Sequence, residues 1–250
     1  MTGELLTFDQ LPANFVTSVR DQSRADVQQA AEFRKRSGLF TASELHKLLT
    51  TKAQPAKNAT ARNYICEKAW ERLTGVGVER GSGFRETDWG NEWEGFAIEE
   101  FCRVTGIQVE HTGKKQKFHK ADGFPFGATL DGHISDDGIL EAKCPFNGGI
   151  HLQNVRYARD LDWFKAERHE YYIQIQGGLW ASNRKYGYFV SYDPGCSRER
   201  DANERITFET FPPEMRLFHT RIERDDEFIE TLKSVVMAAE KELQAILAGR

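Results

Sequence analysis

The chain predicts a single mixed α/β domain, and three observations carry that expectation. Its 250 residues suffice for one large domain with a real core. Apolar residues recur at helical spacing in some stretches and alternate as in strands in others. No internal repeat, low-complexity tract or linker-like stretch divides the chain. The expected layout is an amino-terminal helical part over about 20–75, a core over about 86–211 and a carboxy-terminal helix over about 225–248.

The elements follow in order. Residues 24–36 and 41–50 read as helices, broken by Ser37-Gly38, and 59–74 as another, stopped by Gly75 and Gly77. Glu79 to Arg85 reads as a loop. Trp89, Trp93, Ala97, Phe101 and Val104 mark one face of the next helix at spacing three to four. Strands are expected near 107–111, 114–119, 129–135 and 139–144, followed by helices near 147–158 and 167–183. Strands near 186–192 and 206–211 precede the last helix.

No apolar run approaches a membrane span, and the start of the chain lacks the basic, apolar layout of a signal peptide. Cys66, Cys102, Cys144 and Cys196 are far apart, which argues against a zinc site, a disulfide framework or an iron–sulfur cluster. The cytoplasm is the expected compartment. The net charge of −4 is segregated, with basic clusters at Arg34-Lys-Arg36 and at Lys114 to Lys120. The second cluster reads equally as a solvated strand or as a rim facing a polyanion.

Asp131 to Pro145 is the most informative stretch. It reads as two strands joined by a tight turn, with Glu141 and Lys143 on one face because strand side chains alternate. A two-residue Asp137-Gly138 turn would pair Asp131 with Cys144, on the wrong face. A three-residue turn, Asp136-Asp137-Gly138 with the glycine at positive φ, pairs Asp131 with Lys143 and makes the three charges converge. A hard divalent cation held by Asp131 and Glu141 would explain such a cluster, with Lys143 orienting a water or taking its proton. Taken alone, the bare pattern is better explained by a solvated hairpin with a Glu/Lys pair on its open face.

Three further features stand out. Glu94 lies at the edge of the apolar stripe of its helix. Gln174 precedes Gly177 and Gly178 on one helix face, where missing side chains suit close approach by the hairpin, by a ligand or by another helix. Thr41-Ala-Ser-Glu44 fits a capping box, with Arg36 just upstream and Ser43 adding a hydroxyl, an arrangement suited to an anion.

Four blocks in order make the chain resemble the lambda-type phage 5′→3′ exonucleases, the YqaJ-like viral recombinases of the PD-(D/E)xK nuclease superfamily. They are Arg36 to Glu44, Trp89-Gly-Asn-Glu-Trp-Glu94, Asp131 to Phe146, and Tyr171-Tyr-Ile-Gln-Ile-Gln176. Tyr192-Asp-Pro194 and Glu223-Arg-Asp225 match weaker signatures. Leu130 stands where the family usually has proline, which removes a backbone constraint but no ligand.

The resemblance implies a restriction-endonuclease-like fold, a central mixed β-sheet flanked by helices. It implies two Mg²⁺ ions, with Mn²⁺ as a substitute, held by Asp131, Glu141, the Ala142 carbonyl and Glu94. Lys143 and Gln174 complete the catalytic set, with Tyr171 and Gln176 as weaker candidates. Arg36, Thr41 and Ser43 would bind the 5′-phosphate of the degraded strand. The implied activity is digestion of one strand of linear duplex DNA to mononucleotides, leaving 3′ single-stranded tails. A homotrimeric ring, a single-strand annealing partner, phage or prophage origin and the cytoplasm of a bacterial host are also implied. The competing readings are a restriction- or repair-type endonuclease on the same core and a non-catalytic DNA-binding protein.

Overall fold

The computed structural model describes residues 36–50, 52–77, 85–196 and 211–249. The expected helix 24–36 (apart from Arg36), Arg34 and Lys35, residues 79–84 of the expected loop, and the expected strand 206–211 (apart from Phe211) lie outside the described residues.

Strand β1 (Phe40–Thr41) runs into a 3₁₀ helix over Ala42–Leu48. An α-helix was the expectation over 41–50. Ala42, Leu45 and Leu48 are buried, and their period of three fits the tighter 3₁₀ turn. The capping box does not form. Thr41 makes no side-chain cap; its hydroxyl lies 3.4 Å from Tyr64 OH, and Glu44 binds Lys47 at 2.7 Å.

Helix α1 (Ala59–Thr74) starts where Asn58 accepts the Ala61 N–H at 2.9 Å and ends at Gly75 with φ +69°. Helix α2 (Arg85–Thr105) buries Trp89, Trp93, Ala97, Ile98 and Phe101. Val104, expected on that face, is exposed.

The expected strand 107–111 reduces to a single bridge between Glu110 and His133, since His111 takes φ +57° and ends the extended run. A 3₁₀ turn (Gly113–Lys115) and the short strand β2 (Phe118–Lys120) replace the strand expected over 114–119. Strand β3 (Phe126–Thr129) follows, then the hairpin of β4 (Gly132–Ile134) and β5 (Gly138–Lys143). Helices α3 (Gly148–Tyr157), α4 (Leu161–Glu167) and α5 (His169–Ser182) lead to β6 (Tyr186–Tyr192), β7 (Leu217–Glu223) and α6 (Asp226–Leu247).

The strands form two sheets, in the orders β1-β3-β2 and β4-β5-β6-β7. The second sheet is mixed: β5 and β6 are parallel, and the outer pairs antiparallel. The chain changes sheets between β3 and β4, at Leu130 and Asp131. Apolar residues of β5 alternate between two cores. Ile139 faces the core of α1, α5 and α6, while Leu140 and Ala142 face Trp89, Trp93 and Phe101 of α2. A fully buried side chain such as Ile139, Leu140 or Phe101 contributes about 1.5–3 kcal/mol to folding.

Gly177 and Gly178 let α5 lie close against β5 and the 3₁₀ helix. A Cβ on Gly177 would stand 3.1 Å from Ala42 Cβ, and one on Gly178 3.0 Å from Ile139 and Leu130 side chains. The close approach is therefore by the hairpin and the 3₁₀ helix. Among the described residues, no helix is long and apolar enough to cross a membrane.

Candidate active site

The hairpin brings the three expected charges together, in a register shifted by two residues from the expected one. Gly132 pairs with Leu140 and Ile134 with Gly138, so the turn is Ser135-Asp136-Asp137. Continuing that register places Asp131 opposite Glu141 rather than Lys143. Because Glu141 and Lys143 are two apart, all three still share a face. The turn has three residues as expected, but its left-handed residue is Ser135, at φ +48°, and Gly138 is an ordinary strand residue. A Cβ on Gly138 would come within 2.5 Å of the Tyr186 ring, so close approach explains this glycine. Contacts from the α5–β6 connection select the register. Arg184 donates to the carbonyls of Ser135 and Gly138, both at 2.7 Å, and Asp137 binds the Lys185 backbone and ammonium.

Asp131 accepts the Ala142 N–H at 2.9 Å, which ties the first carboxylate to the backbone of β5. Glu141 is buried, at 2% exposure, and accepts from Lys143 Nζ. Glu94 reaches the same cluster from α2, held by the Gln116 amide at 2.9 Å. Three carboxylates thus share one ammonium. Burial, then the charge of Asp131, pushes Glu141 up to about 8 despite the relief from Lys143. The same two causes push Glu94 up to about 7. Burial also raises Asp131, against the pull of Lys143 and the Ala142 amide. Burial pulls Lys143 down, but Glu141 and Asp131 outweigh it and hold it above its ordinary value, so Lys143 is a cation.

Carboxylates whose ionisation is held back by burial and by one another, beside a cleft, suit a hard cation that would displace their protons. The cleft, about 530 Å³, runs between α2 and the end of β5, with Glu94, Asn91, Ala142, Lys143 and Tyr171 among its lining residues. Among the described residues, no three His, Cys, Asp or Glu side chains stand close enough to enclose an ion. Mg²⁺ does not need such a cage, since one or two carboxylates with water and substrate phosphate satisfy it. Burial pushes the neighbouring Cys144 thiol up to about 12, so it stays protonated and leaves an all-oxygen donor set.

Helix α5 divides its expected residues by face. The Tyr171 ring stacks on Phe189 at 5.6 Å and lies 5.6 Å from Lys143 Nζ, where it braces the lysine stem. Gln174 is half-buried one turn later on the same face. Gln176 points elsewhere and is corrected to a structural role. It is fully buried, donates to the Glu223 carbonyl and accepts the Asp225 N–H, both at 2.9 Å. Those bonds also account for the Glu223-Arg-Asp225 signature as the β7–α6 joint.

The Arg36 turn is braced from below. Glu71 accepts the Gly38 N–H at 2.8 Å, Arg72 donates to the Gly38 carbonyl at 2.8 Å, and Glu240 of α6 holds Arg72 through two bonds of 2.6 and 2.7 Å. Gly38, at φ +70°, leaves no room for a side chain against Arg72. Arg36 itself is exposed and has no acidic partner among the described residues. Ser43 is exposed, whereas the Thr41 hydroxyl is turned toward Tyr64. Gln116, Arg184, Glu71 and Arg72 were not anticipated. The partners that give them these roles lie 22 to 168 residues away, and no local pattern announces them.

Residues 32–185 match the YqaJ-like viral recombinase domain. The chain belongs to that family. Among solved structures, an alkaline exonuclease from Laribacter hongkongensis, LHK-Exo, is 29% identical, with TM-score 0.67, over 86% of this chain and 93% of its own. The same enzyme solved in complex with dAMP aligns with TM-score 0.68. A phage-related exonuclease from Haemophilus somnus 129PT, 23% identical with TM-score 0.65 over 84% of this chain and 96% of its own, shares the fold. No curated protein matches the chain. Each block expected to carry the resemblance, from Arg36 to Gln176, lies inside the matched span.

Proposed function

We propose that this YqaJ-family protein is a Mg²⁺-dependent 5′→3′ exonuclease on linear duplex DNA, releasing mononucleotides and leaving a 3′ single-stranded tail. The observation that carries the reading is the convergence of Asp131, Glu141 and Glu94 on Lys143, beside a cleft that Glu94 and Lys143 line. The dAMP bound to LHK-Exo, a mononucleotide, supports the kind of product.

Asp131, Glu141 and the Ala142 carbonyl would hold the ions, with Glu94 beside them; Mn²⁺ should substitute for Mg²⁺ in such an oxygen site. When bound, Mg²⁺ supplies charge neutralisation of the phosphodiester and acidifies water. Lys143, a cation between carboxylates, orients the attacking water and stabilises charge growing on the phosphoryl oxygens. Tyr171 keeps that ammonium in place. Gln174, on the same helix face, presents a side-chain amide to the phosphate backbone.

The 5′-phosphate is read by Arg36 and Ser43, with Thr41 contributing backbone position rather than its hydroxyl. An exposed arginine with no acidic partner among the described residues suits bidentate capture of a terminal phosphate. The assembly is a homotrimeric ring, which keeps an enzyme on a linear track. It acts with a single-strand annealing protein in the cytoplasm of a bacterial host, encoded by a phage or prophage. Digesting linear and closed circular duplexes with and without Mg²⁺ tests the proposal. Linear DNA alone, with Mg²⁺ alone, should be degraded. Cleavage of closed circles would favour an endonuclease on the same core, and binding without cleavage a non-catalytic protein.

A further inference from the structure

We infer that Gln116 is a positioning residue for the metal site, fixing the orientation of Glu94 through its side-chain amide. The inference rests on the reading that Glu94 serves the divalent ion. Gln116 Nε2 donates to Glu94 Oε1 at 2.9 Å, and Oε2 accepts no hydrogen bond among the described residues. The carboxylate is therefore held by one oxygen and offers the other.

Glu94 needs such a restraint because it stands between two clefts. On one side lies the metal cleft with Ala142 and Lys143. On the other, a cleft of about 480 Å³ separates α2 from the turn carrying Thr112, Gly113 and Gln116. Glutamate has three side-chain torsions, so an untethered Glu94 can swing into the second cleft, away from Asp131. Gln116 reaches across that cleft from its far wall and fixes one carboxylate oxygen, which sets the direction of the other.

The base of the bridge is firm. The Gln116 N–H closes the 3₁₀ turn onto the Gly113 carbonyl at 3.1 Å, and the Lys115 N–H bonds the Thr112 carbonyl at 3.0 Å. The residue type is also apt. Position 116 is the neutral residue within Lys114-Lys115-Gln116-Lys117. A lysine there would pair with Glu94 and compete with the ion, whereas an amide orients the carboxylate without cancelling its charge.

The test measures Mn²⁺ affinity of the DNA-free full chain by electron paramagnetic resonance, with thermal stability recorded in parallel. Gln116→Met keeps the length of the side chain and removes the donor. It should weaken Mn²⁺ binding by about tenfold to a hundredfold, the usual effect of losing a group that orients a ligand. In a Glu94→Gln background the same change should weaken binding no further. Wild-type affinity in Gln116→Met, or an equal additional loss in the Glu94→Gln background, would overturn the inference. If Glu94→Gln alone bound Mn²⁺ like the wild type, the role of Glu94 at the ion would fail first and take this inference with it. If Gln116→Met unfolds, Gln116→Ala and Gln116→Asn give the same comparison, since neither reaches Glu94.

Discussion

Mn²⁺ binding to the DNA-free protein should tighten steeply with pH. Glu141 and Glu94 hold their protons up to about 8 and about 7, because burial and Asp131 oppose ionisation. An ion that requires both carboxylates ionised displaces those protons. At pH 6 both are mostly protonated and at pH 9 mostly ionised, so affinity should rise by about two to three orders of magnitude. Glu94→Gln removes one proton from this competition and should cut the rise to about a hundredfold or less. Isothermal titration of Mn²⁺ into the metal-free protein at several pH values, at constant ionic strength, reads this directly. The sign for stability runs the other way. Folded-state values raised above the ordinary 4.5 make the metal-free protein most stable, as far as these groups decide, below that value. That contribution is lost as pH rises through about 8, and bound Mn²⁺ should restore it. A Mn²⁺ affinity independent of pH would refute the argument, because it would mean that the carboxylates are not the ligands.

The remaining predictions concern single residues. Asp131→Ala and Lys143→Ala should each abolish cleavage, but only Asp131→Ala should also lose Mn²⁺ affinity; Lys143→Ala should still bind DNA in Ca²⁺, as seen by gel shift. Gly138→Val forces a side chain into the Tyr186 ring and should cost about 1–3 kcal/mol in denaturant melts, whereas Ser135→Gly should be tolerated. Equal stabilities for the two would contradict the observed turn. Arg36→Ala should shrink the preference for 5′-phosphate over 5′-hydroxyl ends, expected at about tenfold to a hundredfold from a bond of about 1.5–3 kcal/mol. Its slow rate on hydroxyl ends should stay unchanged; a loss on both ends would point to a folding role for Arg36.

The site was more legible than the scaffold, for physical reasons. Period-two alternation places Glu141 and Lys143 on one face whatever the turn does, and either three-residue register adds Asp131. The turn itself was not legible because Arg184, Lys185 and Tyr186 decide it from the far end of α5. Strand β3 was missed because Gly127 and Ala128 carry little strand propensity; the glycine is there because Phe118 would lie 2.3 Å from a Cβ. Strand β7 did carry a signal, the buried Phe218 and Ile222 an even number of residues apart on an edge strand. Gln176 looked like a site residue because it shares a motif with Tyr171 and Gln174, yet helix geometry turns it toward the β7–α6 joint. Thr41 and Glu44 fit a cap by spacing alone, but Tyr64 and Lys47 were better partners.

The proposed function stands on the polarity of an end-dependent reaction run by the Asp131–Glu141–Lys143 hairpin. Its most direct test is a time course on linear duplex DNA with 5′-phosphate ends in Mg²⁺, labelled at the 5′ end in one sample and at the 3′ end in another. The 5′ label should appear at once as a mononucleotide, while the 3′ label stays in a long single strand. Early release of the 3′ label, or internal fragments from both samples, would contradict it.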